Sequence, residues 1–139
     1  MSEKYNKQIF NKDSFILKID EGAVIPMHHP HYYNNRKNIE LYKCYRDIHS
    51  TVEIEKSTYF ISYDTFNKVE KFVRDNFDTL VEIAKRQENE DYDGGYNRII
   101  VKVDAILIII DAYNTTNKED FNYINLFKKQ IVDMLTKNN

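Results

Sequence analysis

Glycine is scarce in this chain, with 3 among 139 residues, and proline (2), cysteine (1) and tryptophan (0) are scarcer still. Each scarcity excludes something. Gly22, Gly94 and Gly95 cannot build a phosphate-cradling loop or a dinucleotide fingerprint, which need several closely spaced glycines. The lone Cys44 rules out an intramolecular disulfide framework and a paired-cysteine zinc site. Long apolar runs are missing too. The longest, residues 105–110, is closed by Asp104 and Asp111 and falls far short of the roughly 18–20 residues of a membrane span. The opening Met1-Ser2-Glu3-Lys4-Tyr5-Asn6 has no apolar leader, so a cytoplasmic, reducing setting without membrane contact is the expectation. Neither sign of charge dominates: 20 Lys+Arg stand against 22 Asp+Glu, for a net charge of −2. That balance excludes a strongly basic nucleic-acid glove and a strongly acidic DNA mimic.

What is present in excess is Ile, Lys, Asn, Tyr and Phe, which together fill nearly half the chain. Their codons are rich in A and T, so the excess points first to an AT-rich genome, and size and composition together suggest a phage, plasmid or other mobile element. The 11 tyrosines fit ordinary core edges, with the ring buried and the hydroxyl wet.

The length suits a single domain over 1–139, and the chain changes character near residue 62. Before it, apolar residues come in short bursts. Phe15–Ile19 and Val24-Ile25 flank a turn at Asp20-Glu21-Gly22. Ile39–Tyr45, Val52–Glu55 and Tyr59–Ile61 alternate in whole or part, as strands do. A short helix over 39–48 is the alternative. After residue 62, Phe66, Val69, Val73, Phe77, Leu80 and Ala84 recur at helical spacing behind a Ser62 or Asp64 cap, and the helix should stop before Gln87. Thr116-Asn117-Lys118-Glu119 matches a capping box, followed by the stripe Phe121, Ile124, Phe127, Ile131 and Met134 or Leu135. Residues 98–113 are ambiguous. Their β-branched content favours strand, but Ile99, Ile100, Val103, Ile106, Leu107 and Ile110 share one helical arc, and the hairpin alternative would have to turn at Asp104-Ala105 without glycine. A buried helix is the preferred reading. The expected fold is therefore α+β: a small antiparallel sheet from residues 1–61 packed against about three helices from 62–139.

Chemistry concentrates in Pro26-Met27-His28-His29-Pro30-His31-Tyr32-Tyr33. Neutral imidazoles are common metal ligands, so His28, His29 and His31 are candidates for a divalent transition metal, with His49, Cys44 or an acid completing the set. The spacing matches no established zinc pattern. Gly22, His29 and His31 ahead of Glu40 resemble the first metal motif of the cupin barrels, but Glu40 stands too far along, the second motif is missing, and the helical half leaves too few residues for the barrel. Asn89, Asp91 and Asp93 followed by Gly94 resemble the start of a calcium-binding helix–loop–helix, yet Ile100 stands where the bidentate Glu belongs. Cys44 and His49 as a thiolate–base pair, and Asp104 with Asp111 as paired carboxylates on a helix, complete the catalytic candidates. No nucleophile motif accompanies them, and no cofactor beyond the metal is implied.

The expected function is that of a small accessory or inhibitory protein that binds a macromolecular partner, more readily protein than nucleic acid. Tyr32, Tyr33, Arg36 and Lys37 are the candidate contacts, because Tyr and Arg make good interface anchors. Single-stranded nucleic acid could stack on the same tyrosines, but the first 60 residues carry only nine basic against eight acidic side chains. A metal-dependent enzyme on the histidine loop is the competing expectation, and a homodimer through an exposed stripe of the long helix a further one.

Overall fold

The computed structural model describes residues 14–22, 36–45, 47–87, 98–112 and 115–137. Six strands form one antiparallel sheet: β1 (Phe15–Glu21), β2 (Lys37–Cys44), β3 (Asp47–Ile54), β4 (Ser57–Tyr59), β5 (Arg98–Val103) and β6 (Ile106–Asp111). The described residues also form two helices, α1 (Tyr63–Gln87) between β4 and β5, and α2 (Lys118–Lys137) after β6. The spatial order is β4-β3-β2-β1-β5-β6. The first four strands make a meander, and after α1 the β5–β6 hairpin adds to the far side of β1.

This corrects the expected architecture. Among the described residues there are two helices, not about three, because residues 98–111 fold as a hairpin with Val103 opposite Ile106 and Ile99 opposite Ile110. The turn is Asp104-Ala105, and Asp104 supplies the positive φ (56°) that glycine would ordinarily provide. The same device recurs. The first residue of each two-residue turn is Tyr45 (φ 60°) between β2 and β3, and Glu55 (φ 58°) between β3 and β4. The glycine-poor chain thus makes three tight hairpins on non-glycine residues in the left-handed region, where a side chain costs about 1–2 kcal/mol. Glu55 is exposed, so Glu55→Gly should raise stability by about 0.5–1 kcal/mol, read as an upward shift in the thermal midpoint.

One sheet face packs on the helices. Phe15, Leu17 and Ile19 of β1, Ile39 and Leu41 of β2, Val52 and Ile54 of β3, Ile99 and Val101 of β5, and Ile108 and Ile110 of β6 are buried there. They meet Phe66, Val69, Val73, Phe77, Leu80 and Ile83 of α1 and Ile124, Phe127, Ile131 and Leu135 of α2. Ser62 starts α1: its Oγ accepts the N–H of Thr65 (3.0 Å), and its carbonyl accepts that of Phe66 (3.0 Å). The cap of α2 is Asn117 rather than Thr116, with its Oδ1 accepting the N–H of Asp120 (3.1 Å). The buried stripe of α2 shifts accordingly: Phe121 is exposed, while Asp120 is buried in a forked pair with Arg86 at 2.8 Å and 2.8 Å. Phe72 stacks on Phe127 and Tyr123 donates to Asn76, so α1 and α2 run antiparallel side by side. No described helix is long and apolar enough to cross a membrane.

Candidate functional site

Two long connections leave the same end of the sheet. Segment 23–35 departs after Gly22 at the end of β1 and returns at Arg36 ahead of β2, while segment 88–97 departs after Gln87 at the end of α1 and returns at Arg98, which stands opposite Asp20 of β1. His28, His29, His31, Tyr32 and Tyr33 lie outside the described residues, as do the Val24-Ile25 strand and the Asn89–Gly95 calcium-like run. Arg36 and Lys37 are described, and with them the whole base of the histidine–tyrosine segment.

That base is tightly built. Gly22 has φ +85°, and a Cβ placed on it would stand 2.7 Å from Arg36 Cα. The two chain ends therefore approach more closely than any side chain at residue 22 would permit. The Arg36 carbonyl in turn accepts the N–H of Glu55 from the β3–β4 turn (2.6 Å). One residue further in, Glu21 and Lys37 face each other across β1 and β2, and Lys37 Nζ donates to Glu21 Oε1 at 3.0 Å. Lys128 of α2 donates to the other carboxylate oxygen. The ammonium of Lys37 is thus committed to Glu21, and Lys37 acts at the base of the segment as a fastening, with its charge partly spent.

Beside this triad lies a half-open cleft of about 250 Å³, lined by Glu21, Lys37, Asn125, Lys128, Lys129 and Val132. Two ammonium groups, those of Lys37 and Lys128, hold the one carboxylate, and Lys129 adds a third basic side chain to the lining beside Val132. Burial works against the charged form of Glu21, but the hydrogen bonds and charges of Lys128 and then Lys37 outweigh it and hold the carboxyl below its ordinary range. A carboxyl with a lowered pKa in the folded state contributes stability above its unfolded pKa, about 4.3, and loses it as pH falls through the folded value. Glu21→Gln should therefore destabilise the protein at neutral pH and flatten the acid limb of its stability–pH curve below about pH 4.5, measured by urea unfolding across pH.

The other candidates are dispersed. Cys44 ends β2 at the opposite end of the sheet from Lys37, about 23 Å away along an extended strand, and so stands far from the base of the histidine segment. His49 faces Tyr42 across β2 and β3, while Cys44 faces Asp47, which leaves Cys44 and His49 a diagonal step apart and not directly opposed. Asp104 and Asp111, expected as neighbours on one helix, stand at opposite ends of the β5–β6 hairpin. Asp104 sits in the hairpin turn, where Arg74 of α1 reaches it at 3.3 Å. Arg74 also bonds the buried Glu70 (3.0 Å), and Glu70 takes Lys43 from the end of β2 (3.1 Å), so this chain of charges fastens α1 to the sheet. Among the described residues, no three His, Cys, Asp or Glu side chains gather as a metal-binding group.

The sequence reading missed Glu21 and Lys128. Glu21 becomes recognisable once the β1–β2 register sets it opposite Lys37, whereas Lys128 follows 107 residues later and carries no local sign of its role. No protein-family model matches the chain, and no curated protein or solved structure is significantly similar to it.

Proposed function

We propose that this protein is an accessory or inhibitory protein that binds a partner protein at the end of the sheet where segment 23–35 leaves and returns, and that the partner presents an acidic segment to it. The observation that carries this reading is the cleft lined by Lys37, Lys128 and Lys129 with the single Glu21 carboxylate, next to Arg36, where the chain returns from segment 23–35. Cationic side chains beside an apolar wall suit an acidic, partly apolar peptide, and Tyr and Arg within a few residues supply anchors of the kind that dominate interfaces. Connecting segments anchored on a fixed frame are the usual place for recognition, and the described ends of segment 23–35 are held by the Gly22–Arg36 approach and the Glu21–Lys37–Lys128 triad.

The test is affinity capture from a cell lysate on the immobilised full chain, followed by the Arg36→Glu/Lys129→Glu double variant. Lys129 is exposed, so its reversal leaves the core intact. One protein captured at stoichiometric yield, resistant to nuclease and lost in the variant at unchanged thermal midpoint, supports the reading. Nuclease-sensitive capture would favour single-stranded nucleic acid. Stoichiometric metal in the purified protein, lost in His29→Ala/His31→Ala, would favour a metal-dependent enzyme.

A further inference from the structure

The two edges of the sheet are unlike. The β4 edge is three residues long and polar, with Ser57 and Thr58 exposed and Lys56 exposed in the turn just before it, the usual way in which natural sheets blunt an edge. The β6 edge, Ile106–Asp111, carries no charge before its last residue, and Ile106, Leu107 and Ile109 are exposed on it at 54%, 44% and 46%. Its hydrogen-bonding pattern is determined by the hairpin. With a two-residue turn, Ile106, Ile108 and Ile110 turn their backbone groups toward β5, and Leu107, Ile109 and Asp111 turn theirs outward. Asp111 is already closed: Gln87 of α1 lays its side-chain amide along the edge, donating to the Asp111 carbonyl (3.1 Å) and accepting its N–H (2.9 Å), as a neighbouring strand would. Beyond Leu107 and Ile109 no described strand lies.

We propose that this open stretch pairs with the same stretch of a second copy of the chain, β6 against β6 antiparallel about a two-fold axis at Ile108. The Gln87 cap selects that register. An axis at Ile109 would need Asp111, which is occupied, and an axis at Leu107 would need Ala105, which belongs to the turn. An axis at Ile108 sets Leu107 opposite Ile109 of the other copy, and the reverse, so both open N–H and C=O pairs are satisfied four bonds at a time. The exposed Leu107 and Ile109 side chains meet their counterparts on the open face of the sheet, a favourable cross-strand pairing.

Charge supports the same symmetry. α1 runs alongside β6, with Arg74 at the Asp104 end and Gln87 at the Asp111 end, so the axis passes near Val81. Asp78 and Lys85 lie on either side of that point, both exposed, on the same flank of the helix as Arg74. The axis therefore brings Asp78 of each copy toward Lys85 of the other, which its own helix already pairs with Glu82 at 3.3 Å, so that Lys85 would stand between two carboxylates. A foreign strand on this edge would gain the backbone bonds but not this paired complementarity.

The experiment is light scattering with sedimentation of the full chain, in reductant. The expected result is a dimer that dissociates on dilution, becomes monomeric in Ile109→Lys without change in circular dichroism, weakens about tenfold in Lys85→Asp, and recovers in Asp78→Lys/Lys85→Asp. A monomer at every concentration, a dimer indifferent to Ile109→Lys, or a Lys85→Asp loss that the double reversal does not restore would overturn the proposal. Failure here leaves the partner reading untouched, because the two surfaces share no residue.

Discussion

Phe66→Ala is expected to remove about 3–5 kcal/mol of folding stability, the range for truncating a fully buried aromatic. Phe66 lies in the first turn of α1, is 0% exposed, and meets Phe15 of β1 edge-to-face with ring centroids 6.0 Å apart and planes at 78°. Phe15 is equally buried and begins the central strand, so the pair joins the start of the long helix to the middle of the sheet. Removing the Phe66 ring takes away its transfer free energy, leaves a cavity, and deprives Phe15 of its edge contact. Against a total stability of about 5–15 kcal/mol, that loss is a large fraction. Urea unfolding should show a midpoint lowered by about 1–3 M, at unchanged slope. The control is Phe60→Ala. Phe60 is 87% exposed three residues before α1, and its removal should change stability by less than about 0.5 kcal/mol. Equal losses at the two positions would contradict the packing of α1 on β1.

The same contrast explains what could be read from the sequence. Both helices were legible because polar and apolar residues separate cleanly around them: Phe66, Val69, Val73, Phe77 and Leu80 on one side of α1, and Lys68, Lys71, Asp75, Asp78 and Glu82 on the other. The β5–β6 hairpin offered no such separation. Ile99, Val101, Ile108 and Ile110 point to the core, yet Ile100, Leu107 and Ile109 on the opposite face are apolar as well, so a two-residue and a 3.6-residue period fit almost equally. The remaining cue was the turn, and Asp104-Ala105 lacked the glycine that such a turn ordinarily shows. A chain with so little glycine makes hairpins on Tyr45, Glu55 and Asp104, and the usual punctuation of a β-sheet disappears from its sequence. The apolar outer face that hid the hairpin is the same feature that leaves an edge suited to a second copy.

The frame at the ends of the candidate segment was not legible in the sequence. Arg36 and Lys37 stood out as cations beside two tyrosines. That Lys37 is fastened to Glu21 requires the β1–β2 register, and that Lys128 joins them requires α2 to lie over the end of β1, which no spacing in the sequence encodes. Long-range ion pairs of this kind follow from the fold.

Gly22→Ala is expected to act on stability and on partner binding together. At φ +85° an alanine side chain costs about 1–3 kcal/mol by conformation alone. Its Cβ would also stand 2.7 Å from Arg36 Cα and 3.2 Å from Arg36 N, both backbone atoms that cannot swing aside as a side-chain tip would. To relieve the clash, residues 22 and 36 must part. That loosens the Glu55–Arg36 hydrogen bond on one side and the Glu21–Lys37 pair on the other, and both fix the two chain ends between which residues 23–35 run, the segment proposed for partner binding. Partner affinity should consequently fall under conditions where the variant remains fully folded, which a purely global destabilisation would not produce. Gly22→Asn separates the two causes. Asparagine tolerates the left-handed region but carries the same Cβ, so conformational strain alone predicts recovery with asparagine, and the close approach to Arg36 predicts none. A contact of 2.7 Å between that Cβ and a backbone Cα is closer than carbon atoms pack, so the structure favours the second outcome. The Gly22→Asn variant should bind as poorly as Gly22→Ala, and calorimetric titration of the captured partner against both variants decides it.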